Sequence, residues 1–159
     1  MADKYTLSVL VENHFGVLAR ISTLISARGF NIDSLTVSAT EDPTISRMTI
    51  VVDADPVKIE QVKNQLARLI DVIEVLEFKD GQFIDRELLL ARIGRSGTDS
   101  AGLKAVAEKF GAKTTEVSGD SIVLEAMGDT KQVDALIAQL KPFAIQQIVR
   151  TGRIAMAHQ

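Results

Sequence analysis

Residues 12–31 read Glu12-Asn13-His14-Phe15-Gly16-Val17-Leu18-Ala19-Arg20-Ile21-Ser22-Thr23-Leu24-Ile25-Ser26-Ala27-Arg28-Gly29-Phe30-Asn31. An alternating, β-rich run at residues 5–11 precedes them, and Phe30-Asn31-Ile32 opens another. Between the two runs, Val17, Leu18, Ile21, Leu24 and Ile25 recur at three- and four-residue spacing and form one apolar helix face. The spacing predicts a helix over residues 16–28, with Gly29 just past its end. A polar turn, Asn13-His14-Phe15-Gly16, joins strand to helix. A helix N-terminus carries unpaired backbone N–H groups and partial positive charge, and a neighbouring glycine admits close approach to the backbone. Such a turn suits a small carboxylate. Asn13, with both a donor and an acceptor, suits a zwitterion such as an amino acid. The same residues also suit a purely structural turn, in which Asn13 caps the helix and Gly16 eases the bend.

Outward from this stretch, residues 31–39 form a second strand, with Ile32, Leu35 and Val37 as candidate core residues. Thr40-Glu41-Asp42-Pro43-Thr44 is a turn, and residues 45–53 complete a hairpin. Asp55-Pro56 opens a second helix, with Asp55 as N-cap, and Val57, Ile59, Val62, Leu66, Leu69 and Ile70 as its apolar residues. Residues 72–78 form a fourth strand. The order βαββαβ is the ferredoxin-like plan.

Lys79-Asp80-Gly81-Gln82 is the expected domain boundary, separating residues 4–78 from residues 84–158. The plan then repeats. A strand at residues 85–95 precedes a helix capped by Thr98 or Ser100, carrying Leu103, Val106, Ala107 and Phe110 and ending at Gly111. Residues 113–117 and 121–127 flank the hairpin turn Ser118-Gly119-Asp120. A helix capped by Asp129 or Thr130 carries Val133, Leu136, Ile137 and Leu140 and stops at Pro142. Residues 144–150 close the sheet. The fold class is therefore α+β, with two ferredoxin-like domains.

The 159 residues are 46% hydrophobic but only 4% aromatic, so the core must be aliphatic. There is no Cys, which excludes disulfides, thiolate metal sites and a Cys nucleophile. A net charge of −3 argues against non-specific nucleic-acid binding. No apolar run approaches the roughly 18 residues that a membrane helix needs, and Met1-Ala2-Asp3-Lys4 lacks a signal-peptide pattern, so a cytoplasmic protein is expected.

Catalysis needs a positioned nucleophile, acid–base pair or metal set. The two histidines, His14 and His158, lie in the turn and next to the C-terminus, and no histidine–carboxylate cluster shows metal-ligand spacing. Asp53 and Asp55 read as a strand end and a helix cap, and Gly94-Arg95-Ser96-Gly97 as a plain loop. Neither a catalytic nor a metal site is expected. The strands 5–11 and 45–53 lack the aromatics of an RNA-binding sheet. A small-ligand binding or interaction module remains.

Residues 7–21, Leu7-Ser8-Val9-Leu10-Val11-Glu12-Asn13-His14-Phe15-Gly16-Val17-Leu18-Ala19-Arg20-Ile21, resemble the opening of an ACT domain. Residues 28–37 and 41–50 narrow the resemblance to the small regulatory subunits of acetolactate synthase. The resemblance covers the whole chain and is specific over about the first 80 residues. It implies an ACT domain first, no active site or cofactor in this chain, and a large catalytic subunit as partner that holds thiamine diphosphate, Mg and FAD. It also implies activation of that subunit, feedback inhibition by valine or a related branched-chain amino acid, and a homodimer through the ACT domains. The effector would bind between paired domains at Asn13, His14, Phe15, Gly16, Val17, Leu18, Asn31 and Ile32, with Asn31 coming from the other copy. His14 and Phe15 depart from the usual residues of that loop. A free-standing amino-acid sensor acting on another target is the alternative.

Overall fold

The computed structural model describes residues 3–158. In chain order the elements are β1 (Asp3–Glu12), α1 (Val17–Ala27), β2 (Ile32–Ala39), β3 (Ile45–Ala54), α2 (Pro56–Leu66), β4 (Val72–Phe78), β5 (Phe83–Gly94), α3 (Ser100–Lys109), β6 (Lys113–Ser118), β7 (Ser121–Gly128), α4 (Thr130–Leu140), β8 (Ile145–Arg150) and β9 (Ile154–Ala157). Two sheets form, ordered β2-β3-β1-β4 and β6-β7-β5-β8, with β9 also paired to β5, and neighbours along both orders are antiparallel. The same βαββαβ topology thus occurs twice, as the hydrophobic periodicity predicts.

In the first unit the alternation of β1 and β3 sends Leu7, Val9, Val11, Met48, Ile50 and Val52 to one face. There they pack against Val17, Ile21 and Ile25 of α1 and Ile59, Val62 and Leu66 of α2. Burying an aliphatic side chain of this size contributes roughly 1.5–3 kcal/mol. Val57 and Ile70, expected on the apolar face of the second helix, are instead exposed. The buried stripe of α2 is narrower, running Ile59, Val62 and Leu66. The opposite face of the sheet buries polar residues, Thr6, Ser8 and Thr49. Arg47 Nη1 donates to Ser8 Oγ at 2.9 Å, and Arg153 Nη1 donates to Thr6 Oγ1 at 2.6 Å.

In the second unit Leu89, Ala91 and Ile93 of β5 and Leu124 and Ala126 of β7 pack against Leu103 and Ala107 of α3 and Val133, Leu136 and Leu140 of α4. The buried Glu87 carboxylate takes Nε and Nη2 of Arg150 at 2.6 and 2.9 Å. This bidentate pairing meets the cost of burying the charge.

The compact units differ from the expected domains at the C-terminus. One unit runs to Ile84 and takes up the residues from Arg153 onward; the other is Asp85–Gly152. The segment that the sequence places in the second domain returns because its polar groups are satisfied in the first unit. Thr36 Oγ1 donates to Arg153 O at 2.7 Å, and His158 N donates to Gln82 O at 3.0 Å. This segment forms β9, a strand the sequence reading does not anticipate. The cap of α3 is Asp99, not Thr98 or Ser100, and the cap of α4 is Asp129. Among the described residues no helix is long and apolar enough to cross a membrane.

Candidate functional site

The turn between β1 and α1 is held by two neighbours. Glu12 N donates to Asp71 O at 2.9 Å, and Asn13 N donates to Thr44 O at 2.7 Å. Asn13 Nδ2 donates to Pro43 O at 2.9 Å. A carbonyl only accepts, so the amide nitrogen must face Pro43, and Asn13 Oδ1 is left without a partner among the described residues. Asn13 is therefore not the helix cap. It is fastened to the β2–β3 hairpin, which is itself set by Asp42. Thr44 N and Oγ1 donate to Asp42 Oδ1 at 2.8 and 2.7 Å, and these bonds hold the Asp42 carboxyl below the usual carboxylate range. The Asp42-Pro43 turn thus positions Asn13.

Gly16 stands at the N-cap with φ +86°, a left-handed conformation that favours glycine, and no side chain accepts from the first turn of α1. The start of α1 accordingly has orphan N–H groups and no carboxylate partner. The other three helices each have one: Asp55 accepts from Lys58 N, Asp99 from Gly102 N and Asp129 from Gln132 N. Beside the turn an open cleft of about 360 Å³ is lined by Glu12, Asn13, His14, Thr44, Ile45 and Ile73.

Asp71, immediately before β4, is 5% exposed. Its Oδ1 lies 2.9 Å from His14 Nε2, and its Oδ2 lies 2.5 Å from Arg20 Nη1. Glu12 Oε2 lies 3.3 Å from the same His14 nitrogen. Sequence reasoning misses Asp71 and Arg20. Asp71 is far along the chain from the turn, and only the tertiary fold brings it there. Arg20, one turn into α1 from Gly16, offers only the spacing as a signal. The histidine–carboxylate cluster that the sequence spacing does not show is assembled by the fold.

The other expected site residues divide. Phe15 is fully exposed at the tip of the turn, Leu18 is partly exposed beside it, and Val17 is buried in the core. Ile32 packs on the core as well. Asn31 is exposed and makes no hydrogen bond among the described residues. Ile32 pairs with Val52, which pairs with Tyr5, whereas Glu12 pairs with Ile45. Asn31 and Asn13 therefore lie at opposite ends of the sheet, separated along β1 by the seven-residue step from Tyr5 to Glu12, or about 23 Å. One chain does not bring the two asparagines together.

A ferredoxin-like domain with an uncapped first helix and an open cleft beside the turn before it, followed by a second domain of the same topology, has the architecture of an ACT-domain protein. The family model of the AHAS small subunit-like ACT domain matches residues 7–74, and the model of the small subunit of acetolactate synthase matches residues 86–159. The acetolactate synthase small subunit of Mycobacterium leprae is 46% identical over 154 residues, covering 96% of this chain and 90% of that one. The probable acetolactate synthase small subunit of Archaeoglobus fulgidus is 42% identical, covering 96% of each. The crystal structure of the acetolactate synthase small subunit from Thermotoga maritima superposes with a TM-score of 0.89 at 31% identity, covering 99% and 98% of the two chains. The chain belongs to the acetolactate synthase small-subunit family, and its ACT domain supports the part of a regulatory subunit.

Proposed function

We propose that this chain binds a branched-chain amino acid, valine or a close relative, between two ACT domains, and through that binding sets the activity of an acetolactate synthase large subunit. In this reading the chain has no active site of its own. It activates the large subunit, which holds the thiamine diphosphate, Mg and FAD, and it confers feedback inhibition. The observation that carries the reading is the bare start of α1 beside the open cleft. The effector carboxylate would take the N–H groups of that turn, where the helix dipole also favours an anion. The ammonium would donate to the open Asn13 Oδ1, and Ile45 and Ile73 would face the aliphatic side chain. The partner subunit's Asn31 would complete the site, because one chain holds its two asparagines apart. Pairing along β2, which is an edge of the first sheet, would supply that partner and cover the edge. Binding that favours one dimer conformation then reaches the large subunit by linkage.

The test is reconstitution with the large subunit. Asn13→Ala and Asn31→Ala should each raise the valine concentration for half-inhibition by roughly tenfold, the equivalent of one lost hydrogen bond, while activation persists. Unchanged inhibition in both variants would show that the effector binds elsewhere.

A further inference from the structure

We infer that Glu12, His14 and Asp71 form a site for a divalent transition-metal ion of the Zn²⁺ class. One ligand atom from each residue lies within 4.8 Å of the other two. His14 Nε2 is 2.9 Å from Asp71 Oδ1 and 3.3 Å from Glu12 Oε2. Ligands about 2.0–2.1 Å from a tetrahedral ion stand roughly 3.3–3.4 Å apart, so the two distances from His14 Nε2 are already within about half an ångström of that spacing.

The second observation concerns the other ring nitrogen. His14 Nδ1 lies 3.3 Å from Phe15 O. A carbonyl oxygen only accepts, so Nδ1 carries the proton there. Nε2 then faces two carboxylate oxygens and needs a positive centre between itself and them, either a second proton or a metal ion. A metal-ligating histidine has this arrangement, with its far nitrogen donating to a backbone carbonyl and its near nitrogen turned to the ion. Asp71 is likewise prepared: its other oxygen is held by Arg20, and its carboxylate is buried. With a neutral imidazole, Glu12, Asp71 and Arg20 leave one net negative charge at the site, which favours a cation.

The ligand set selects the metal. One imidazole and two carboxylates form a mixed nitrogen–oxygen set with no thiolate. That matches Zn²⁺, Co²⁺ or Ni²⁺ better than the all-oxygen shells of Ca²⁺ and Mg²⁺. Three protein ligands leave at least one position open to water or a further ligand. His14 directly follows Asn13, so an ion here would stiffen the turn before α1. The site stands on its own residues, whatever amino acid the chain binds.

The experiment uses the purified full-length chain stripped with a chelator. It is titrated with ZnCl2 by calorimetry and with CoCl2 by visible absorption, without any amino acid present. The expected result is one equivalent per chain and the intense absorption of a low-symmetry Co²⁺ site. Losing a mere orienting partner costs a metal site about 10–100-fold, so His14→Ala, which removes a ligand, should weaken binding by at least ~100-fold. His158→Ala should leave binding unchanged, and circular dichroism checks that both variants are folded. Absence of saturable Zn²⁺ binding, binding that survives His14→Ala, or binding lost in His158→Ala would each overturn the assignment.

Discussion

Two helix starts in this chain solve the same problem in opposite ways. At α4, Asp129 accepts from Gln132 N at 2.8 Å and the Gln132 side chain accepts from Asp129 N at 2.9 Å, a complete capping box. At α1, Gly16 occupies the cap with no side chain to offer, and Asn13, which has a suitable group, is turned away to Pro43. The first arrangement closes the N-terminus. The second leaves it available beside a cleft. A helix that forgoes a cap worth about 1 kcal/mol keeps its dipole and N–H groups for something else. The helix of the second unit equivalent to α1 is α3, and Asp99 caps it, so the topology alone does not require the bare start.

The comparison can be strained at several points. Removing the anchor beneath α1 should cost most. Asp71→Ala leaves Arg20 without its buried counter-charge and removes the carboxylate beside His14, and a loss of about 2 kcal/mol is expected by denaturant unfolding, below the full figure for a buried pair because Arg20 is half exposed. Gly16→Val places a β-branched residue at φ +86°, and strain of roughly 1–2 kcal/mol should appear in the same measurement, together with loss of the valine response. Asp129→Ala should cost about 1 kcal/mol, with the valine response intact. Asn13→Ala should behave in reverse, shifting stability without effector by less than ~0.5 kcal/mol, since the residue is exposed, while displacing the response to roughly tenfold higher valine.

The smallest effect is one of pH. The Lys58 amide, donating to Asp55, holds that carboxyl below its ordinary value, against opposing desolvation. A depressed carboxyl contributes stability above its unfolded pKa and loses it as pH falls through the folded one. Hydrogen exchange at Lys58 N should therefore quicken relative to the intrinsic rate on acidification below the carboxylate range. The first turn of α1, which has no carboxylate cap, should show no such change.

Much of the fold is legible in the sequence because its signals are local. The alternation of residues 5–11, Gly29 and Gly111 past two helix ends, and Asp55-Pro56 at a third helix start each act within a few residues. The β4 strand falls at residues 72–78 as expected. What escapes the sequence depends on competition or distance. Thr98, Asp99 and Ser100 all suit an N-cap; Thr98 Oγ1 is taken by Gly94 O, and Asp99 becomes the cap. The short Ile-Ala-Met-Ala of β9 has no distinctive period, and only its partners make it a strand. At the site, Asn13, His14 and Gly16 are legible as one turn. Asp71, Arg20 and the Pro43 carbonyl are not, because they reach it through the tertiary fold.

The most direct measurement is thermal unfolding of the purified chain against graded valine, leucine and isoleucine, with Asn13→Ala in parallel. A ligand at one hundred times its Kd stabilises the native state by about 2.7 kcal/mol, enough to move the midpoint by several degrees. The account predicts a saturable, selective rise in the natural chain, and in Asn13→Ala the same rise only at roughly tenfold higher ligand concentration. No rise with any of the three, or an equal rise in both proteins at equal ligand concentration, would contradict a binding site at the open start of α1.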